Sequence, residues 1–236
     1  MLDFGRYIAG PYCAALLADL GADVIRIERR GGGEDRWVAP VGADGVGPLY
    51  LVMNRNKRAM TLDPACPEGR EIVRKLVATT DVVVANLAPE VLRSLALDLD
   101  SLRLVKPDII RTTVTAFGAG GPWSLKHGFD GIGQVMCGSA YLTGTPEQPM
   151  RPAGPLYSPQ QALDDAHIRA AGLLRDTDYP GLPRPAPLAP TPVDLPETPG
   201  RFRHPAPTLG EHTDAILAEL AYGAEEIARL RTRGVI

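Results

Sequence analysis

The chain has 236 residues, 44% of them hydrophobic and 22% charged, with a formal net charge of −3. That length suits one large domain or a domain with a small appendage, and the composition excludes wholesale disorder. It carries no global basic field, so nucleic acid is not an expected partner. No run approaches the roughly 18 apolar residues of a membrane span, and the opening MLDFGRYIAG lacks the basic-then-apolar pattern of a secretory signal. Cys13, Cys66 and Cys137 are distant and odd in number, which argues against a disulfide framework or a CxxC site. The expectation is a cytoplasmic protein without membrane attachment.

In chain order, Leu2-Asp3-Phe4 reads as the end of a strand. Pro11 opens a helix over Tyr12–Leu20 that Gly21 stops, proline in the first turn and glycine after the last being the expected punctuation. Val24–Glu28 reads as a strand, and a helix over Pro67–Ala78 places Ile72, Val73, Leu76 and Val77 on one stripe. Val82-Val83-Val84 is a short apolar run of the kind covered on both faces. Pro89–Leu95 and Ser101–Val105 read as short helices, with Pro107 closing the second, and Ile109–Val114 as the next strand. Repeated strand–helix–strand order implies a parallel α/β sheet with right-handed crossovers.

Beyond residue 150 the character changes. A helix is expected over Pro159–Leu174. From Tyr179 to Pro207 prolines recur every few residues, which forbids regular helix or central strand. Leu182, Leu188, Val193 and Leu195 are candidates to anchor this stretch as an extended arm. Two helices, about Thr213–Ala221 and Glu225–Arg233, follow. The organisation read from this is residues 1–150 as an α/β domain, and residues 156–236 as helix, proline-rich arm and helix pair docking on it or on a partner.

Most chemical signatures are absent. No GxGxxG follows a strand, and there is no GxxxxGK[ST] loop or GxSxG elbow. His127, His167, His204 and His212 lack metal-ligand spacing. Gly118–Gly121 reads as a tight turn, and adjacent Asp164 and Asp165 as a solvated face. Two basic clusters stand out, Arg26, Arg29 and Arg30, and Arg55, Lys57 and Arg58 in Asn54-Arg55-Asn56-Lys57-Arg58. In an open parallel sheet ligands bind beyond the carboxyl ends of strands, where Arg29 falls. A guanidinium fork matches phosphate oxygens, and the helix opening at Gly10-Pro11 adds a positive dipole end. A phosphate-bearing anion is the ligand class these features suggest. Solubilising surface charge is the plain alternative.

Ala9-Gly10-Pro11 and the run Leu17-Ala18-Asp19-Leu20-Gly21-Ala22-Asp23-Val24-Ile25-Arg26-Ile27-Glu28-Arg29 closely resemble the opening of the family III CoA-transferases, the group of formyl-CoA transferase, carnitine-CoA transferase and α-methylacyl-CoA racemase. The resemblance continues through Asn56-Lys57-Arg58, Leu62-Asp63, Pro67–Arg70, Asp81–Val84, Asn86, Phe117-Gly118, Gly121-Pro122, Gly128-Phe129-Asp130, Gln134 and Thr143-Gly144. The stretches Ser158–Leu173 and Pro205–Thr213 resemble the family's C-terminus. The resemblance implies a parallel-sheet, Rossmann-like CoA-binding domain, usually in an interlocked homodimer. It also implies CoA or acyl-CoA as substrate, with no permanently bound cofactor. Positions matching the family's CoA contacts are Ile8, Ala9, Arg29, Leu62, Asp63, Asn86, Leu87, Ala88, His127, Gly128, Phe129 and Asp130, with Arg29 facing the nucleotide phosphates.

The departures from the family pattern are chemical. Transferases of this family attack an acyl-CoA thioester with an aspartate that follows a proline-rich segment, a carboxylate that keeps the acyl group activated as an anhydride. Here that stretch reads Arg151-Pro152-Ala153-Gly154-Pro155-Leu156-Tyr157 and passes directly into a C-terminal block. The small domain is thus expected to be missing and the first strand truncated. A basic CoA-site residue falls at Ala65, and an arginine falls at Ser94 beside Arg93. The racemase branch places its proton-transfer histidine where Phe129 stands, so the transferase branch fits better. The readings are a working CoA-transferase, as a subunit whose partner chain supplies the aspartate, a non-catalytic CoA- or dimer-binding remnant, and an interaction scaffold; the expected assembly is a homodimer or a hetero-oligomer with a full-length relative.

Overall fold

A computed structural model of the chain describes residues 1–38, 46–118, 120–139, 159–178, 183–193 and 195–236. Two compact units divide it: Met1–Val114 with Asp178–Arg184 and Thr191–Ile236, and Thr115–Thr177 with Pro185–Pro190. The expected boundary between residues 150 and 156, the segment Arg151–Tyr157, Ala119, Thr143-Gly144 and Leu182 lie outside the described residues.

The first unit is built on a five-stranded parallel sheet in the order β3-β2-β1-β4-β5, so the fold class is α/β. Its strands are β1 (Leu2–Asp3), β2 (Ile25–Glu28), β3 (Arg58–Thr61), β4 (Val82–Ala85) and β5 (Ile110–Thr113). β1 lies between β2 and β4, with Leu2 opposite both Ile25 and Val83. Helix α1 (Ala9–Asp19) links β1 to β2, α2 (Pro48–Met53) precedes β3, α3 (Pro67–Ala78) leads to β4, and α4 (Pro89–Ser94) and α5 (Leu99–Val105) lead to β5. Pro67 at the first position of α3 and a Cys66 thiol accepting from the Gly69 N–H at 3.3 Å define that helix's start. Gly21, at φ +111, reverses the chain after α1 in the left-handed region that glycine enters without strain.

Side-chain alternation gives the sheet two unlike faces. Leu2, Phe4, Ile25, Ile27, Met60, Leu62, Val83 and Ala85 join one apolar core with the Ile72–Val77 stripe of α3. Two later helices, α9 (Thr213–Glu219) and α10 (Ala224–Thr232), complete it with Ile216, Leu217, Ile227 and Leu230. α9 lies against β3, and the residues leading into it cover that strand's outer edge. The Ala59 N–H donates to His212 Nδ1 at 3.2 Å and the Thr61 N–H to Thr213 Oγ1 at 3.1 Å, so this parallel edge is not left open to another chain.

The arm is fastened by polar groups more than by the leucines expected to do so. Within the first unit Val193 and Leu195 remain exposed. Instead Asn56, left-handed at φ 59, donates to the Arg201 carbonyl at 2.7 Å and to Asp19 Oδ1 at 2.8 Å. Its Oδ1 accepts from the Arg203 and His204 amides at 2.6 and 2.8 Å. Asp19 in turn accepts from Thr191 Oγ1 at 2.6 Å and from Arg55 Nη2 at 2.7 Å.

Among the described residues of the second unit, α6 (Asp130–Met136) is followed by α7 (Pro159–Asp164) and α8 (Ala166–Ala170). The single helix expected over Pro159–Leu174 is therefore broken. Asp165 leaves the helical path, and its Oδ1 accepts from the Ile168 N–H at 2.9 Å, capping α8. The chain then enters β6 (Arg175–Thr177), antiparallel to β7 (Ala186–Leu188), where Pro187 is tolerated because the ribbon has two strands and both are edges. Leu188 is buried.

Asn56→Ala removes four hydrogen bonds and puts a Cβ-bearing residue with no local polar compensation at φ 59. It is expected to destabilise the chain by about 2–4 kcal/mol, and limited proteolysis should show first cleavage moving into residues 195–205.

Candidate functional site

In this strand order the connections leave β1 in one direction towards β2 and return on its other side at β4, so the sheet reverses between β1 and β4. In open α/β sheets that is where ligands bind, beyond the carboxyl ends. The chain after β1 forms one lip of this crevice. Gly5 and Gly10 approach so closely that a Cβ on Gly10 would meet Gly5 Cα at 2.8 Å and Asn86 Oδ1 at 3.1 Å. Asn86, after β4, forms the other lip and stitches the two together: its Oδ1 accepts from the Arg6 amide at 2.6 Å and its Nδ2 donates to the Arg6 carbonyl at 2.8 Å. Between them Tyr7 is held at φ 57, a conformation unfavourable for a bulky residue and maintained only where its surroundings impose it.

Eight of the twelve expected contact residues lie on this rim of the first unit. Ile8 and Ala9 are exposed at the amino end of α1, and Ile8 provides no side-chain cap, so the first-turn amides keep their capacity for an anion. Arg29 follows β2 with its guanidinium largely exposed. Its Nε donates to the Gly32 carbonyl at 2.6 Å and its Nη2 lies 3.1 Å from Glu34 Oε1. Leu62 and Asp63 follow β3, the first wholly buried, the second donating its amide to the Val235 carbonyl at 2.8 Å. Asn86, Leu87 and Ala88 follow β4, with Ala88 leading into α4. The other four, His127, Gly128, Phe129 and Asp130, belong to the second unit, at the start of α6. There Asp130 accepts from Gln134 at 2.6 Å and Phe129 is exposed.

Arg6 was not legible as a candidate. It pairs with Glu34, as does Arg29, so two exposed guanidiniums at the ends of β1 and β2 share one carboxylate. The Glu34 backbone amide and these two arginines hold the Glu34 carboxyl below its ordinary pKa. The available signal was position: Arg6 directly follows Gly5 where the chain leaves β1.

The two basic clusters divide differently from the sequence expectation. Arg26, Arg55 and Lys57 are buried and engaged by carboxylates, Arg30 reaches the Gly234 carbonyl, and Arg58 pairs with Asp23 and Glu219. Arg55 and Lys57 also precede β3 and Arg58 opens it, on the opposite rim from Arg29. They serve the fold, because Arg26 points away from its neighbours Ile25 and Ile27 onto the second face of the sheet.

That face carries an ionic layer beneath the crevice. Asp3, wholly buried, accepts from Lys57 Nζ at 2.8 Å and from the Gly5 amide at 2.7 Å, with Arg26 Nη1 at 3.5 Å. Lys57 completes its three donations on the Pro11 carbonyl at 2.8 Å and Asn54 Oδ1 at 3.0 Å. Arg26 also donates to Asp35 at 2.8 Å. Beside it Arg36 binds Glu28 through two nitrogens, at 2.9 and 2.6 Å, and stacks 3.8 Å above the Tyr50 ring. Burial pulls the Lys57 amine down from 10.5 to about 8, although Asp3 acts upward. Burial alone would raise the Asp3 carboxyl, but Lys57 and Arg26 outweigh it and the net is downward. Glu28 follows the same logic through Arg36 and Arg26, whereas burial raises Asp35.

The family model for CoA-transferase family III matches residues 1–153 and 150–213. A succinate–glutarate CoA-transferase of Agrobacterium fabrum is 40% identical over 159 residues, which are 64% of this chain and 40% of that protein. The succinyl-CoA:glutarate CoA-transferase of Homo sapiens is 37% identical over 157 residues, 64% of this chain and 35% of that protein. The chain thus matches well under half the length of these curated relatives. A crystal structure of a CAIB/BAIF family protein from Brucella suis superposes with a TM-score of 0.80 at 20% identity, covering 93% of this chain and 97% of that one, a likeness of fold. Among the described residues no helix is long and apolar enough to cross a membrane.

Lys57→Met leaves the Asp3 charge buried without its ammonium partner and is expected to lower unfolding stability by about 3–5 kcal/mol. The double variant Asp3→Asn/Lys57→Met should recover much of that, measured as a double-mutant cycle in urea. Asp3 and Glu28 bind protons more weakly folded than unfolded, so their contribution is complete above the ordinary values of 3.8 and 4.5 and is lost as the pH falls through and below them. Asp35 acts in the opposite sense. Urea midpoints between pH 7 and 3 should therefore fall in the acid range, and less steeply in the double variant.

Proposed function

The chain belongs to CoA-transferase family III, and from that membership we propose that it supplies the CoA-binding α/β unit of an enzyme that moves CoA between an acyl-CoA and a carboxylic acid. The observation that carries this reading is the crevice at the β1/β4 reversal. An uncapped helix start, the exposed guanidiniums of Arg6 and Arg29, and the loops at Leu62-Asp63 and Asn86–Ala88 border the carboxyl ends of adjacent strands. In this reading Arg29 and Arg6 exchange Glu34 for the phosphates of CoA, the α1 amides face the same charge, and Ile8 and Leu87 flank the path of the pantetheine arm. His127–Asp130, in the second unit, are CoA contacts by the family resemblance alone.

The chemical step needs a carboxylate that attacks the thioester carbonyl, expels the CoA thiolate and holds the acyl group as an anhydride. The segment expected to carry it, Arg151–Tyr157, contains no aspartate or glutamate. We therefore place the nucleophile on a different chain, a full-length relative, since a second copy of this chain lacks a carboxylate in the same segment. The match of the family model in two segments that meet near residue 150 supports an internally shortened member. Exposed Trp37, Leu104 and Ile110 on the first unit support a partner surface. The absent carboxylate also favours a second reading, a CoA-binding relative that performs no transfer.

Calorimetric titration with CoA and acetyl-CoA is expected to show saturable binding that weakens about tenfold or more in Arg29→Ala, the scale of a lost charge-assisted hydrogen bond. A folded sample that binds neither overturns the CoA-site reading. Purified alone, the chain is expected to give no transfer from succinyl-CoA to glutarate, with turnover appearing when a full-length relative is added. Turnover by the chain alone removes the partner requirement. Binding without turnover in the mixture selects the second reading.

A further inference from the structure

At the opposite rim of the same sheet, by the amino ends of β2 and β3, the first unit contains a cleft of about 480 Å³. Its floor is Asn56 and Lys57. The Gly21–Asp23 turn after α1 forms one wall, and the arm at Arg203–Pro207 forms the other, with Arg58, Glu211 and His212 completing the lining. Small-molecule sites usually measure roughly 300–1,000 Å³, so the space suits an organic molecule more than a bare ion. Four-residue strands separate it from the carboxyl rim by roughly 13 Å, so it is not an extension of the crevice at the β1/β4 reversal.

The hydrogen-bonding capacity of the lining decides what it would hold. The carboxylates are engaged within the protein. Asp23 receives Arg58 through two nitrogens at 3.1 and 2.7 Å, and Glu211 Oε2 accepts from the Thr208 amide at 2.7 Å and hydroxyl at 3.1 Å. The donors are not matched in the same way. Arg203 uses Nη2 on the Ala18 carbonyl, and its other guanidinium nitrogens have no acceptor among the described residues. The His204 imidazole likewise has no hydrogen-bond partner there, although its backbone is pinned by Asn56. His212 Nδ1 accepts from the Ala59 amide, which places the imidazole proton on Nε2, and the nearest carboxylate oxygen, Glu211 Oε1, is 3.9 Å away. Donors in excess of acceptors, on a backbone that Asn56 holds in place, describe a preformed receptor for negative charge.

We propose that this cleft is a second ligand site of the chain, for a small organic oxyanion (a carboxylate or phosphate ester) held by Arg203, His204 and His212. The ligand joins the arm to the turn after α1 and to the residues that cover the edge of β3, so its occupancy tightens the arm on the sheet.

The test is calorimetric titration of the full chain with succinate and with inorganic phosphate, repeated on Arg203→Gln, His204→Ala and Arg29→Ala. Saturable binding of either anion is expected. It should weaken about tenfold or more in Arg203→Gln, weaken also in His204→Ala, which breaks no bond of the folded chain, and persist in Arg29→Ala. Binding of succinate alone, phosphate alone or both identifies the ligand's charged group. Unaltered melting temperatures of the free variants separate lost binding from lost folding, and the ligand should raise the wild-type melting temperature in proportion to its affinity. The proposal is overturned if neither anion binds, if Arg203→Gln and His204→Ala leave the affinity unchanged, or if Arg29→Ala alone abolishes it.

Discussion

The carboxylate of Asp3 is the constraint on which the arrangement turns. It sits at the end of the central strand with no solvent contact, and a charge so placed persists only when its partners are fixed as firmly as it is. Three elements meet that demand: Lys57 from the approach to β3, Arg26 from β2 and the Gly5 amide from the loop that leaves β1. Because Lys57 also holds the Pro11 carbonyl inside α1, one ammonium sets the position of a helix relative to the strand it follows. The lip of the crevice is therefore braced from beneath by charge, and the loop above it is held in the strained conformation at Tyr7.

Strand alternation assigns the arginines their different tasks. Arg26 and Arg29 are three residues apart, yet Arg26 faces the ionic layer within β2 and Arg29 emerges where the strand has ended. A parallel sheet covered on both faces ordinarily reads as a continuous apolar run. Here the pattern Ile25-Arg26-Ile27-Glu28 is half ionic and still buried, since Arg36, Asp35 and Tyr50 meet each charge with an opposite charge or a hydroxyl. The arrangement isolates the buried cations from ligand chemistry and leaves Arg6 and Arg29 on the rim with only Glu34 between them.

Much of this was legible in the chain itself, for reasons that differ by element. The α3 boundaries follow from Pro67 and the four-residue stripe, and the parallel order follows from strand–helix alternation, both local or periodic signals. β3 escaped because Arg58-Ala59-Met60-Thr61 is short and begins in a basic cluster that reads as surface. The break at Asp165 escaped because an aspartate inside an apolar-periodic stretch looks like a solvated position until its capping bond is seen. Among the expected contacts, motif order was enough to bring forward Ile8, Arg29 and Asn86. Arg6 carries no motif of its own, and its relevance comes from the reversal of strand order, a property of pairings that no local window contains.

The sheet order also has a kinetic side. β1 comes first in the chain but occupies the middle of the sheet, so its second neighbour, β4, is about eighty residues away. The apolar face that β1 shares with β2 and β3 is closed by Ile216, Leu217, Ile227 and Leu230, at the other end of the chain. A protein emerging amino end first holds these apolar strands uncovered while the long arm is still being made, and non-local contacts of this kind form slowly. During that interval the open edge of β3 and the bare face of the sheet are exposed together. Folding in the cell is then governed less by the strength of the finished core than by what shelters the nascent sheet until its last two helices arrive.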